Sequence, residues 1–322
     1  MSLRALLDSF KGLKATVLGD LMLDEYIFGK VSRISPEAPV MVVRQERATA
    51  VPGGAANVAM NIVALGGQVR VIGVVGADDA GLALQKALNS LSGTQSTVFR
   101  DAGRVTTRKT RIVADHSHQV LRIDNETSDP VVRSIADQVV DAAIAAMKDS
   151  QVVVLSDYLK GVLTPGVAAE VIEAARAKGV PVVVNPKPRT ARNYKGCRLV
   201  TLNRSEASDL VGDEVTDTDS GTAAAQAALR EIGVETAVVT LGEAGLVAAT
   251  GTQTFSARPP KVEVNDPAGA GDTVIATLAL CCARGEIDQA SLQLAAEASA
   301  RVVRHVGVAV PDERDLDEIR SL

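Results

Sequence analysis

Asn265-Asp266-Pro267-Ala268-Gly269-Ala270-Gly271-Asp272-Thr273 runs straight into an uncharged apolar stretch that ends at Ala283. That stretch reads as a helix, and the small residues at its start leave the first-turn N–H groups unshielded. Such an end attracts anions, phosphate above all. Asp272 stands inside this anion site, where an attacking hydroxyl and a transferring phosphoryl group would meet, within reach as a general base. The plainer reading is that Asp266 or Asp272 only caps the helix, as Asp before a helix commonly does.

Working outward, short β-branched runs at 15–18, 69–75, 152–155, 182–184, 199–202 and 237–241 alternate with segments of helical period at 55–65, 131–147, 167–178 and 223–232. Continuous apolar runs suit strands covered on both faces, and the segments between them suit crossover helices. The fold class is therefore α/β, a central, mostly parallel sheet flanked by helices, closed by two long helices at 271–283 and 289–304. Residues 40–51 and 94–123 break this rhythm with polar alternation, as in Thr106-Thr107-Arg108-Lys109-Thr110-Arg111-Ile112-Val113. Alternation implies a sheet with one wet face. It predicts a small β-sheet lid formed from about 28–52 and 94–124. No linker-like composition divides the chain, so one domain over 1–322 is expected.

Composition narrows the function. The chain has 322 residues, 46% hydrophobic and 23% charged, with four Phe, three Tyr and no Trp, so its core is aliphatic. A net charge of −5 without a basic block argues against a nucleic-acid binder. Three cysteines, two of them the neighbours Cys281 and Cys282, make no disulfide framework, and a cytoplasmic location is expected. No apolar run is long enough to span a bilayer. Gly103 to Thr110 fails as a Walker loop because Arg108 replaces its second glycine, and Val274 spoils a dinucleotide fingerprint after Gly269. His116, His118 and His305 have no Cys or His partners at zinc-ligand spacing, so no zinc site is expected.

A second small-residue signal is Pro52-Gly53-Gly54-Ala55-Ala56-Asn57, which opens an amphipathic helix. Gly53 and Gly54 would let a polyol approach the backbone, and Asn57 offers it a donor and an acceptor. A tight turn packed against the sheet would explain the same residues. Asp20 and Asp24 follow the first strand, where parallel sheets bind ligands.

Together these residues resemble the ribokinase-like (PfkB-type) sugar kinases from the first strand to the last helices. Gly53-Gly54-Ala55-Ala56-Asn57 resembles the N-terminal signature, with one residue fewer before Asn than some members show. Asp266 to Asp272 is similar to the Asp-x-x-Gly-Ala-Gly-Asp signature. Asn203-Arg204-Ser205-Glu206 is similar to Asn-x-x-Glu, and Thr240-Leu241-Gly242-Glu243-Ala244-Gly245 to the nucleotide turn Thr-x-Gly-x-x-Gly. Within the family, Gly19 to Asp24, Ser32-Arg33-Ile34-Ser35-Pro36-Glu37-Ala38-Pro39-Val40 and Leu155 to Gly161 resemble heptose-7-phosphate kinases. Some of these are fused to a nucleotidyltransferase domain; a stand-alone kinase is expected here. Ala268 departs from a common Thr, and Asn185-Pro186-Lys187 from an Asp-Pro-Lys.

The resemblance implies ATP-dependent phosphorylation of the anomeric hydroxyl of D-glycero-D-manno-heptose 7-phosphate. It implies Asp272 as base, with the N–H groups of Gly269, Ala270 and Gly271 holding developing charge. Asn203, Arg204, Ser205, Glu206, Thr240, Gly242 and Gly245 would bind ATP, Glu206 acting on Mg²⁺ through water. Asp20, Asp24, Gly53, Gly54, Asn57 and Lys187 would meet the sugar. A monovalent cation is left open, and a homodimer through the β-lid is expected. A phosphorylated substrate needs a cationic grip, for which Arg108 and Arg111, then Arg33, are candidates because guanidinium meets phosphate bidentately. The same charges would keep an exposed edge strand from pairing with neighbours. Strand alternation puts Arg111 and Lys109 on one face and Arg108 on the other. Rival readings are a kinase of fructose, phosphofructose, ribose or a nucleoside, and a non-catalytic phosphosugar-binding regulator.

Overall fold

The computed structural model describes residues 1–114, 118–251, 253–285 and 287–322; His116 lies outside them. The chain opens with α1 (Leu3–Asp8) and β1 (Lys14–Gly19), then makes a long hairpin of β2 (Leu21–Ile34) and β3 (Met41–Gly54) that feeds directly into α2 (Ala55–Ala64). β4 (Gln68–Gly76), α3 (Asp79–Ser90) and β5 (Thr94–Asp101) follow, then β6 (Thr107–Ala114) and β7 (His118–Asn125). Next come α4 (Arg133–Ala146), β8 (Val152–Ser156), α5 (Pro165–Ala177), β9 (Val182–Asn185), β10 (Leu199–Asn203), α6 (Arg204–Val211), α7 (Thr218–Ala228) and β11 (Thr236–Thr240). β12 (Leu246–Thr250), β13 (Gln253–Ala257), α8 (Ala270–Arg284), α9 (Gln289–Val302) and α10 (Glu313–Arg320) complete it.

Among the described residues, nine strands form one sheet in the order β13-β12-β11-β10-β9-β8-β1-β4-β5, and four form a second, β3-β2-β6-β7. In the large sheet only the β11–β12 and β12–β13 pairs are antiparallel. The six β-branched runs are the strands β1, β4, β8, β9, β10 and β11. Every residue of β8 is buried, as its unbroken apolar run requires when helices cover both faces.

The small sheet differs from the predicted lid in its limits. Residues 94–101 are not part of it: β5 pairs in parallel with β4, from Val69 opposite Thr94 to Gly76 opposite Asp101. β5 is an edge strand with mostly half-buried residues. An edge strand with a partly wet face alternates just as a lid strand does, so periodicity could not separate the two. The lid also starts earlier, since β2 begins directly after Asp20.

Helix α8 lies in the core, with Asp272 through Cys282 all buried. Val274, Ile275, Leu278 and Leu280 are each at most 3% exposed. Burying four side chains of that size contributes about 1.5–3 kcal/mol apiece, enough to hold a polar, ionisable helix start against the sheet. Among the described residues no helix is long and apolar enough to cross a membrane.

Candidate active site

The strand order reverses between β1 and β8, which lie side by side. Open α/β sheets bind ligands at such a point, beyond the carboxyl ends of the strands. Asp20 leaves β1 there, and Asp157-Tyr158 leaves β8.

Asp272 is the third residue of α8, after an N-cap Gly269 whose φ of 90° suits glycine. The residue is 6% exposed. Oδ2 accepts a hydrogen bond from Asn57 Nδ2 at 2.7 Å, and Oδ1 accepts one from the Tyr158 hydroxyl at 2.7 Å. Burial drives its pKa up, the bonds from Asn57 and Tyr158 hold it back, and the charge of Asp24 adds to the rise, leaving it at about 6. A carboxylate poised there is ionised at neutral pH yet more basic than a surface Asp, which suits a general base. The neighbouring Asp266 pins the loop before α8, accepting from Ala268 N at 2.9 Å and Gly307 N at 3.1 Å.

Two residues expected on the sugar do other work. Asn57 is fully buried and holds Asp272, while one turn on Asn61 accepts from the Thr273 hydroxyl at 2.7 Å, so α2 and α8 are fastened by two side-chain bonds. Asp20 is also buried, and its oxygens accept from the backbone N–H groups of Tyr158 at 2.8 Å, Lys160 at 3.0 Å and Val162 at 3.2 Å. Burial raises its pKa against the pull of those N–H groups. It therefore shapes the loop after β8. Tyr158, absent from the sequence-derived site, is placed by that loop. A polar residue just past a parallel strand was a visible signal, but nothing in the sequence showed that its ring turns toward α8.

On the other side of Asp272, Lys187 Nζ lies 2.5 Å from Glu206 Oε1 and 5.1 Å from the centre of the Tyr158 ring. Glu206 and Asn203 form a reciprocal capping box at the start of α6. Asn185, Lys187, Asn203, Glu206, Thr240, Gly271, Asp272 and Tyr158 share a cavity of about 200 Å³. Asn185 Oδ1 is buried there without a hydrogen-bond partner among the described residues. An unsatisfied oxygen beside a carboxylate is the donor chemistry that suits a hard, partly hydrated cation.

A second cavity of about 640 Å³ meets the first at Thr240 and Gly271 and is walled by Leu246, Pro260, Val264, Val274, Ala300 and Val303 among others. Gly242 and Gly245 line it. Gly245 has φ of 103°, and a Cβ there would overlap the Ala257 carbonyl. Arg204, unexplained by the sequence, donates to the Leu241 carbonyl and ties α6 to this turn. Ser205 is exposed and outside both cavities.

The lid reaches the site through β2. Asp24 and Arg111 form an ion pair at 2.5 Å, both largely buried, and the Arg111 guanidinium lies 5.2 Å from the centre of the Tyr26 ring. Burial alone would lower the Arg111 pKa, but the bond and charge of Asp24 raise it. Gly53 makes room for Asp24, whose carboxylate a Cβ at 53 would overlap, and Gly54 caps α2. Lys109 pairs across from Asp24 as Arg111 does from Tyr26, so the two cations share a face. Arg108 points to the other face and is exposed. Arg33 is exposed at the far end of the hairpin, opposite Val42. These two are not brought to the site. His305 pairs with Asp315 on α10, whose other oxygen is held by Arg304.

A family model described as pfkB family carbohydrate kinase matches residues 14–315. The chain belongs to the pfkB family of carbohydrate kinases. It is 42% identical over 315 residues to the bifunctional protein HldE of Caulobacter vibrioides, covering 97% of this chain and 64% of that protein. It is 44% identical over 306 residues to the HldE of Caulobacter sp. strain K31, covering 94% and 62%. The chain thus spans somewhat less than two thirds of these relatives. In structure it is similar to phosphofructokinase-2 from Escherichia coli in complex with potassium, with a TM-score of 0.81 at 20% identity over 97% of this chain and 98% of that one. It is also similar to Arabidopsis thaliana ribokinase complexed with ribose and ATP, with a TM-score of 0.74 at 19% identity over 97% and 99%. These kinases share its ribokinase-like fold.

Proposed function

We propose that this pfkB-family protein transfers the γ-phosphoryl group of ATP to the anomeric hydroxyl of D-glycero-D-manno-heptose 7-phosphate, giving the 1,7-bisphosphate for ADP-heptose and lipopolysaccharide core synthesis. The observation that carries the reading is the placement of Asp272: a buried carboxylate with a pKa near 6 at an open helix start, between an apolar cavity and a lid bearing cations. The heptose assignment is supported by the resemblance of residues 32–40 and 155–161, and by relatives named HldE.

In this mechanism the apolar walls of the larger cavity hold adenine between aliphatic side chains, and the turn from Thr240 to Gly245 follows the nucleotide. The first-turn N–H groups of α8 receive the charge that develops on the transferring group. Asp272 takes the proton of the attacking hydroxyl, aligned by its two fixed hydrogen bonds. Glu206, Asn203 and Asn185 would hold Mg²⁺ through water, and the ion would supply neutralisation of phosphate charge. Lys187 stands where it can leave Glu206 for a phosphate. Arg111 and Lys109 face the sugar's far end and grip its phosphate. A monovalent cation and a homodimer belong to the same proposal. For the dimer, the exposed lid residues Ile34, Val40, Met41, Leu121 and Ile123 offer an apolar surface. Buried, unpaired cysteines agree with a reducing cytoplasm.

The test is a phosphoryl-transfer screen with ATP and Mg²⁺. Heptose 7-phosphate should exceed fructose 6-phosphate, fructose 1-phosphate, ribose and nucleosides in kcat/KM by at least about a hundredfold. Preference for another sugar would replace the heptose assignment, and ATP hydrolysis indifferent to every sugar would remove the kinase reading.

A further inference from the structure

The loop that carries Tyr158 is held more firmly than a connection needs to be. Asp20 accepts its backbone N–H groups at three positions. Asp157, buried beside it, accepts from Leu159 N at 2.9 Å, from the Thr190 hydroxyl at 2.7 Å and from the Tyr194 hydroxyl at 2.7 Å. Leu159 has φ of 57°, the only positive value at a non-glycine position among the described residues. A backbone strained in this way persists only where its surroundings over-determine it, and such strain gathers at functional sites. Among its contacts the strained loop delivers the Tyr158 hydroxyl to Asp272 Oδ1 at 2.7 Å.

We propose that Tyr158 is a positioning residue for the base: its hydroxyl, donating to Asp272 opposite Asn57, fixes the orientation of the carboxylate and sets the pH range in which it accepts the substrate proton. This rests on the reading of Asp272 as the base. Each carboxylate oxygen receives one fixed donor, from Asn57 on α2 and from Tyr158 after β8, and keeps one lone pair for substrate. The charged groups around the pair are Asp24 on β2 and Glu206 on α6, both anionic, and the cation Lys187 after β9. Burial, with Asp272 adjoining, pushes the phenol well above its ordinary range, so it stays a donor wherever the enzyme works. Two or three donors lower a carboxylate by about two units, so loss of one should raise Asp272 by about one.

The experiment compares wild type, Tyr158→Phe and Asp272→Asn. Phe keeps the ring beneath Lys187 and removes only the hydroxyl. The kcat/KM profile of the wild type should fall on the acid side with a midpoint near 6. In Y158F that midpoint should move up by about one unit, and the plateau above about pH 8 should fall by roughly tenfold as the base loses one of its two fixed bonds. An unmoved midpoint, or an equal loss at every pH, overturns the proposal. A second reading needs no substrate: ¹³C NMR titration of the Asp carboxyls, with the Asp272 signal identified by its absence in D272N. The Asp272 midpoint should rise by the same unit in Y158F, and a fixed midpoint overturns the proposal whatever happens to turnover. Near-normal turnover in D272N would instead remove the base itself, whereas an inactive D272N with a fixed Y158F midpoint removes only the tyrosine's role.

Discussion

Replacing Asp272 with Asn should nearly abolish turnover and make the protein more stable. The carboxyl's pKa rises from 3.8 to about 6 on folding, mainly through burial. Two units at about 1.4 kcal/mol each amount to about 3 kcal/mol. The sign follows from linkage: the folded chain holds this proton more tightly than the unfolded chain. Stability is therefore lost as pH rises from 3.8 through 6, and the loss is complete above that. Asn has no charge to desolvate, and it fits the existing partners, accepting from Asn57 and donating to the Tyr158 oxygen. Calorimetric unfolding should show D272N melting higher at about pH 8, by about 4 °C for a chain of 322 residues, with the gap closing below about pH 4. Turnover should fall by roughly a thousandfold, the scale of a lost general base. A D272N that melts lower than wild type at pH 8, by the same margin as at pH 4, would refute the reasoning, because the carboxylate would then be holding the fold together. The expected outcome is the ordinary opposition between a poised site and a stable one.

Arg111→Ala should raise the KM for the phosphorylated sugar by about tenfold to a hundredfold, as loss of a charged hydrogen bond does, and leave the KM for ATP unchanged. It also strands the largely buried Asp24, so the melting temperature should fall; equal changes in both KM values would assign Arg111 a structural role instead. Gly245→Ala combines a disfavoured φ with overlap on the Ala257 carbonyl, and should cost about 1–3 kcal/mol of stability and raise the KM for ATP. Wild-type melting and ATP kinetics in G245A would show that the turn tolerates displacement and does not set the nucleotide site.

The main sheet was legible because buried parallel strands write themselves as continuous apolar runs, and the start of α8 because small residues before an apolar helix have few other uses. Alternation separated the Arg111 face from the Arg108 face, yet it could not say which face turns inward. That depends on the lid folding back so that Tyr26 accepts from Val308 N, a contact between residues 282 positions apart. Asn57 and Asp20 looked like ligand groups because polar residues at strand ends and helix starts serve ligands and backbone alike. Their protein partners depend on the packing of α2 on α8 and the course of the loop after β8, which are not local in sequence. Arg204 had no local signal at all, since its acceptor, the Leu241 carbonyl, lies 37 residues away.

The three tyrosines all belong to one neighbourhood: Tyr158 on the base, Tyr194 on the Asp157 that steadies the same loop, and Tyr26 between the lid and residue 308. The chain has no tryptophan. Its intrinsic fluorescence is therefore phenol emission, two of the three rings lying at the site or its lid and the third, Tyr194, in the core behind the loop, with no brighter fluorophore to draw off the energy. A phenol bonded to a carboxylate emits weakly, so any event that loosens Tyr158 from Asp272 or lifts Tyr26 from the loop should brighten the protein. Substrate binding, lid movement and protonation of the base can thus be followed in the unlabelled enzyme, by the change in light from Tyr158 and Tyr26.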